Sequence, residues 1–529
     1  MPYDVVIVGG GHNGLVCACY LAGAGLKVRV LERRSVVGGA AVTEEFAPGF
    51  RNSTAAYTVS LLNPKVIRDL RLPEHGLKIL ERPFANFLPL PDDRSFRLGP
   101  TLADTQRELA RLSARDAERL PDYYRTIEAA ADTLRGLVLE TPPNLDGSWR
   151  SGLRALALGG KLALLPRRAQ RDLWDLATRS AGELLDWWFE SDPIKAAFGF
   201  DAQVGHFASP YSPGSAYVLL HHAFGEVNGK RGTWGHAVGG MGAISEAIAK
   251  EARSRGVEIT TGAEVISVRV KGNRAAGVAL SDGSEIEAQS VAAGVNPRLL
   301  YLKMLEPGVI DAEFRSRIER WRCASGSFRM NIALSELPDF SCAPGKHAQP
   351  HHSSGIIIAP SLGYMEHAYF DARTAGFSRE PIVEMLIPST VDPGLAPPGR
   401  HVASLFCQHF NPTLPGGRSW DEEREAAADA IIATVDRHAP NFKKSILARK
   451  ILSPLDLERD FGLIGGDIFH GALTLDQLFS ARPVLGYADY RSPVRGLYLC
   501  GSGAHPGGGV TGAPGHNAAR EILRDLRRR

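Results

Sequence analysis

Residues 3–34, YDVVIVGGGHNGLVCACYLAGAGLKVRVLERR, decide the fold. Residues 4–8 read as a strand, residues 14–24 have the length and composition of a helix, and residues 26–32 are again β-like, so the stretch is a β-α-β unit. Gly9, Gly11 and Gly14 sit at its strand-to-helix turn in G-x-G-x-x-G spacing. The first permits the tight bend, the second lets backbone approach a pyrophosphate, and the third lets the helix pack on the strand. Glu32 closes the second strand 21 residues after Gly11, where a carboxylate accepts hydrogen bonds from the ribose hydroxyls of an adenosine. Strand, helix, second strand and terminal acid in register predict a bound dinucleotide, its pyrophosphate at the positive end of the helix.

Around this unit the composition is that of a globular protein. The 529 residues exceed one simple core and call for two or three lobes. Hydrophobic residues at 44% and charged residues at 22% exclude disordered and fibrous classes. A formal charge of +3 gives nucleic-acid binding no electrostatic support. Six scattered cysteines form no C-x-x-C pair and no zinc spacing, as expected for free thiols in a reducing compartment. Cys17 and Cys19, two apart on a helix, read as packing residues. The chain enters its first strand with no charged leader, and no apolar run reaches the ~18 residues of a membrane span. The expected location is the cytoplasm.

Residues 103–200 are rich in Ala, Leu, Arg and Glu at helical spacing and read as a helical insertion. Within it, SGLRALALGGKLALLPRRAQRDL (151–173) sets leucines beside Arg154, Lys161, Arg167, Arg168 and Arg171. That pattern suits a peripheral contact with a membrane surface, the mouth of an apolar tunnel, or an amphipathic helix pair with solvated arginines. Gly239-Gly240-Met241-Gly242 then opens a helix ending at Gly256, followed by a strand over 257–261 and a meander over 264–292 with turns at Lys271-Gly272-Asn273 and Asp282-Gly283. Residues 300–480 mix strand and helix signals with many prolines, as a substrate domain would, and contain no second G-x-G-x-x-G. The pairs His221-His222 and His351-His352 invite a metal reading. Adjacent side chains point apart, however, and no carboxylate lies at ligand spacing, so no metal is expected.

The choice of dinucleotide rests on a resemblance. Behind Glu32, Gly38-Gly39 form a second glycine turn like the one two-dinucleotide-binding-motif flavoproteins carry beside the FAD pyrophosphate. Ala40 stands where that superfamily usually has a basic residue, which leaves Arg33 or Arg34 to meet the phosphate charge. Together GGGHNG, VVGGAA, GGMGAISEAIA, SPLDLERDFGLIGGDIFHGALTLDQLFSARP and GSGAHPGGGVTGAPG resemble the phytoene desaturase-like flavoproteins in the same order along essentially the whole chain. The chain looks closest to a branch whose name refers to a pyridine nucleotide-disulfide oxidoreductase domain. The cysteine pattern and the single nucleotide motif do not support that chemistry.

The resemblance implies an α/β fold. A discontinuous Rossmann-like FAD domain (1–75, 231–300, 485–529) would be joined by a helical insertion and substrate lobe (76–230) and a mixed α+β substrate domain (301–484). It implies non-covalent FAD, with Val265 placed to meet adenine through its backbone and Val291-Ala292-Ala293-Gly294 ending a strand against the cofactor. In GLYLCGSGAHPGGGVTGAPGHNAA (496–519), Gly501-Ser502 replace the Gly-acid pair that holds the ribityl chain. A strand is expected over 497–500 and a helix from about Val510–Thr511 toward Arg524, with the amides of Gly509, Val510 and Thr511 facing the flavin. On this reading the turn's glycines are bare because the isoalloxazine covers them. His505 would be either a proton carrier or an anchor; the roles of Asp456 and Asp460 are not derivable from sequence. The expected function is dehydrogenation or desaturation of a small or lipophilic molecule by hydride loss to the flavin, without NAD(P)H. An amine oxidase, or a flavin-free scaffold of the GDP-dissociation-inhibitor kind, are the competing readings.

Overall fold

The computed structural model describes residues 2–345 and 347–527. Met1, Lys346, Arg528 and Arg529 lie outside them, and with them the outer ends of the first and last segments of the FAD domain. Residues 3–34 form strand Tyr3–Val8, helix His12–Gly23 and strand Val28–Leu31. The helix starts two residues before the expected Gly14, because Gly11, extended at φ −66° and ψ 165°, is its N-cap and draws His12 and Asn13 into the first turn. Val5, Val6 and Ile7 are fully buried, each contributing on the order of 1.5–3 kcal/mol of apolar burial.

The β-α-β unit seeds a sheet built from distant parts of the chain. Its parallel strands run Glu258–Thr260, Val28–Leu31, Tyr3–Val8, Glu285–Ala293 and Leu497–Leu499. Val8 pairs with both Leu31 and Ala293, and Ala293 pairs with Leu499, so the carboxyl ends of these strands share one edge. In an open parallel sheet that edge is where ligands bind. The other half of Glu285–Ala293 pairs with the antiparallel meander Val265–Lys271 and Arg274–Leu280. Helix His12–Gly23 packs against Gly242–Ser254 and Ala513–Leu526.

A second sheet runs Ile446–Leu452, Phe328–Leu334, His401–Phe410, Phe377–Leu386, Gly355–Ile358, Asn86–Pro89 and Ser95–Leu98. It is antiparallel except where Gly355–Ile358 meets Asn86–Pro89. The helices between Leu102 and His222 close over part of this sheet in a shared core that joins Leu120, Ile127, Leu185 and Phe198 to Leu88, Ile357 and Phe406. Among the described residues no helix is long and apolar enough to cross a membrane.

Candidate active site

A cavity of about 400 Å³ opens at the carboxyl edge of the first sheet and runs toward the second. At one end it is lined by Gly9, Gly11, Gly14, Glu32, Arg33, Gly39, Ala40 and Val265. At the other stand Tyr57, Thr58, Trp234, Phe406, Ile468 and Phe469, with Ser502, Gly509 and Val510 along one wall. Gly38, Gly501 and Thr511 stand just behind this surface. Gly38 N donates to Gly10 O, and Thr511 O accepts from Asn63 N.

Close backbone approach explains the first turn. A Cβ on Gly14 would overlap the carbonyl oxygen of Gly9, and one on Gly39 would come within 3.1 Å of the Gly11 Cα. The two glycine turns therefore face one another with no side chain between them. Glu32 is 6% exposed. Its Oε2 accepts from Gly10 N at 2.7 Å and its Oε1 from Arg34 N at 2.9 Å, which fixes the carboxylate at the cavity wall. Arg33 donates to Arg459 O. Arg34 pairs with Glu44 at 2.6 Å and lies over the Phe461 ring.

The glycine-rich C-terminal turn is built differently, and the expectation that the isoalloxazine covers it is corrected. A Cβ on Gly508 would overlap Phe469, one on Gly503 would overlap Pro297, and one on Gly501 would lie 2.5 Å from Gly294 O. Most of these glycines make room for protein. The helix that follows is Ala513–Leu526, starting later than read because Gly512, left-handed at φ 72°, is its N-cap.

Arg482 holds this turn in place and was missed from sequence. Fully buried, it donates to Ser502 O from Nε and Nη2 at 3.1 and 2.7 Å, to Phe469 O at 2.8 Å and to Gln477 O at 3.0 Å. Burial draws its pKa down to about 10, still cationic at neutral pH. Buried Asp467, bonded by Ala324 N and Phe469 N at 2.9 and 2.8 Å, acts electrostatically on Arg482 from the same loop. Arg482 ties the Gly466–Gly471 loop, which presents Phe469 and His470, to the strand end at Ser502. The signal lay in GGDIFHG and SARP, where a charged residue within an apolar run marks a buried tie.

His505 does not reach this cavity. Its Nε2 is 3.0 Å from Leu137 O, its ring packs near Phe479, and its own carbonyl accepts from Tyr490 Oη at 2.9 Å. Burial pushes its pKa down to about 4. It borders instead a separate cavity beneath helix Trp149–Ala163. This placement is an anchor's, and the proton-carrier reading is corrected on that ground. Asp456 forms a capping box with Ser453 and pairs with Arg424, while Asp460 is exposed. Among the described residues no group of three or more His, Cys, Asp or Glu side chains could hold a metal.

The residues present fit a dinucleotide. Four lining residues carry buried polar atoms without a protein partner: His12 Nε2, Asn13 Oδ1, Arg34 Nη1 and His470 Nδ1. Such atoms are costly unless a ligand satisfies them. Glycine turns face to face, a carboxylate at the second strand end and orphaned polar groups along one cavity define a dinucleotide-binding flavoprotein.

Comparison with known proteins leads to the same class. The model of the family described as flavin containing amine oxidoreductase matches residues 14–327, and the chain belongs to that family. It is 43% identical over 545 residues to pyridine nucleotide-disulfide oxidoreductase domain-containing protein 2 of Mus musculus, covering 99% of this chain and 94% of that protein. It is 25% identical over 547 residues to a limonene dehydrogenase polypeptide of Castellaniella defragrans, covering 99% and 95%. A crystal structure of an oxidoreductase from Methanosarcina mazei shares the fold, with a TM-score of 0.61 at 16% identity over 98% and 99% of the two chains. The protein is an FAD-dependent oxidoreductase.

Proposed function

We propose that this chain dehydrogenates or desaturates an apolar organic substrate and passes the electrons on to oxygen, a quinone or another acceptor that is not a pyridine nucleotide. The observation that carries this reading is the cavity itself. One end has the dinucleotide features, and the other is walled by Tyr57, Trp234, Phe406, Ile468 and Phe469. FAD, when bound, supplies a hydride acceptor. Glu32 and the glycine turns would hold its adenosine half, and the apolar wall would exclude water and orient a substrate by shape. Tyr57 is held rigidly there, stacked on Phe406 at 5.2 Å, with the Arg329 guanidinium 4.5 Å from its ring centroid and its hydroxyl on Glu384.

Two buried arginines, Arg82 and Arg329, stand around Glu384 behind this wall. A cationic backing repels an ammonium group, which favours a neutral substrate over an amine. The relative named for limonene dehydrogenase is in keeping with that preference. Six unpaired thiols are in keeping with the cytoplasm. An anaerobic screen of alkenes, alcohols and amines for bleaching of the bound flavin tests the reading. Neutral apolar compounds should bleach it, and NADH and NADPH should not. Rapid bleaching by amines alone, or by either nicotinamide, would overturn it.

A peripheral membrane contact completes the proposal. Leu153, Leu156 and Leu164, on one stripe of the segment that forms helix Trp149–Ala163 and its end, are 56%, 73% and 88% exposed, and Trp174 on the next helix is 69% exposed. Exposed Arg154, Lys161, Arg167 and Arg171 flank them. This combination suits an anionic bilayer surface. Vesicles containing phosphatidylglycerol should sediment the protein, and Leu156→Ser with Leu164→Ser should abolish that. Equal sedimentation of the double variant would contradict it.

A further inference from the structure

Ser502 stands where the expected flavoprotein pattern places an acid to accept hydrogen bonds from the hydroxyls of the ribityl chain. Among the described residues no carboxylate lines the cavity where Ser502 meets the first turn of helix His12–Gly23. Two residues of that turn present acceptors instead. Asn13 is 4% exposed, and its Nδ2 donates to Ser502 Oγ at 3.2 Å. That bond turns its Oδ1 the other way, where it has no protein partner. His12 is 9% exposed, its ring lies near the Gly509 backbone, and its Nε2 has no protein partner. A neutral imidazole carries a lone pair on one nitrogen, and in the Nδ1–H tautomer Nε2 is an acceptor. Burial lowers the His12 pKa to about 4, so the ring is neutral under ordinary conditions.

The two orphaned atoms belong to consecutive residues that both line the cavity, and Asn13 is tied from behind to the C-terminal turn through Ser502. An acceptor that is buried, oriented and unpaired is suited to a hydroxyl donor. The polyol chain is the part of the dinucleotide that offers several hydroxyls in a row. We propose that His12 Nε2 and Asn13 Oδ1 together replace the missing acid, accepting hydrogen bonds from the ribityl hydroxyls of FAD as a neutral pair. The inference rests on the FAD reading and assigns which half of the cofactor these two residues hold. A neutral pair also leaves this wall of the site without the negative charge an acid would place there.

Two probes separate the halves of the cofactor. FAD carries the ribityl chain, and ADP carries only the adenosine and pyrophosphate. Dissociation constants for both are to be measured on the ligand-free protein of wild type, His12→Phe, Asn13→Leu and Asn13→Asp. The first two variants remove an acceptor at similar size, while the third keeps one. His12→Phe and Asn13→Leu should each weaken FAD about 3- to 10-fold, the value of one neutral hydrogen bond, and leave ADP unchanged. Asn13→Asp should bind FAD within about 2-fold of wild type, as retention of the acceptor requires. Wild-type FAD affinity in both acceptor-deleted variants overturns the assignment, as does parallel weakening of ADP, which would place the two residues on the pyrophosphate. Thermal unfolding of each ligand-free variant checks the fold, and if one variant fails to fold the other decides. A wild-type protein that binds ADP but not FAD would instead refute the FAD reading itself.

Discussion

The two glycine-rich turns at the cofactor edge look alike in sequence and are built on different contacts. In the N-terminal turn, glycine lets backbone pack directly on backbone, as where Gly11 bridges to Gly38 and lies against Gly39, and leaves that edge of the cavity without side chains. In the C-terminal turn, glycine lets protein side chains in: Phe469 against Gly508, Leu61 against Gly509 and Pro297 against Gly503. The first turn presents bare backbone to the cavity. The second is a packed joint, pulled onto the sheet by Arg482, that offers the cavity only Ser502, Gly509 and Val510. Glycine density therefore marks close approach but does not say what approaches.

The largest expected effect falls beside the first turn. Glu32→Ala should weaken FAD about 30- to 150-fold, the value of two hydrogen bonds to a carboxylate, on the order of 2–3 kcal/mol. FAD content unchanged after dialysis would remove Glu32 from the site. The joint is tested by Gly508→Ala. A Cβ there collides with Phe469, so the ligand-free protein should lose on the order of 1–3 kcal/mol of stability, as overpacked cores do. If only FAD binding suffered and the ligand-free protein unfolded as before, the turn would be a cradle after all.

His505 gives a smaller effect. His505→Ala should cost about 1–2 kcal/mol through the lost contact with Leu137 O and the space left behind. The reduction rate per bound flavin should not change. A loss of 10²- to 10⁴-fold, the range of a general acid–base residue, would return it to a proton carrier. Its pH dependence has a definite sign. Burial holds the folded-state pKa at about 4, below the ordinary value of about 6.5, so the unfolded chain binds the extra proton between them. Stability is full above about pH 6.5 and declines as pH falls toward 4. His12, His222 and His470 are depressed to about 4 as well and act in the same direction. Denaturation midpoints at pH 7.5 and 5.0 should show the decline, and His505→Ala should flatten it by up to one proton's slope.

Local signals carried much of this architecture. The β-α-β unit, Glu32 and the meander were legible because periodicity, glycine spacing and a strand-end acid are properties of a few consecutive residues. Arg482 and Asp467 were not, since a buried charge is defined by what surrounds it in space. Tyr57 escaped for a similar reason: its place on the cavity wall comes from Phe406, 349 positions away, and from Glu384. The start of the C-terminal helix was misplaced because a left-handed Gly512 and a following Ala-Pro read from sequence as more of the turn. His505 was drawn toward the flavin by its position in a motif, although Leu137, on a helix of the insertion, is what meets its ring.

The central claim is that this cavity holds FAD without a covalent link. Acid denaturation of the purified protein, followed by chromatography of the supernatant, tests it most directly. The expected result is close to one FAD released per chain, with a colourless protein pellet. Release of a different nucleotide, colour retained in the pellet, or a protein that neither carries FAD nor takes it up when supplied would contradict the claim.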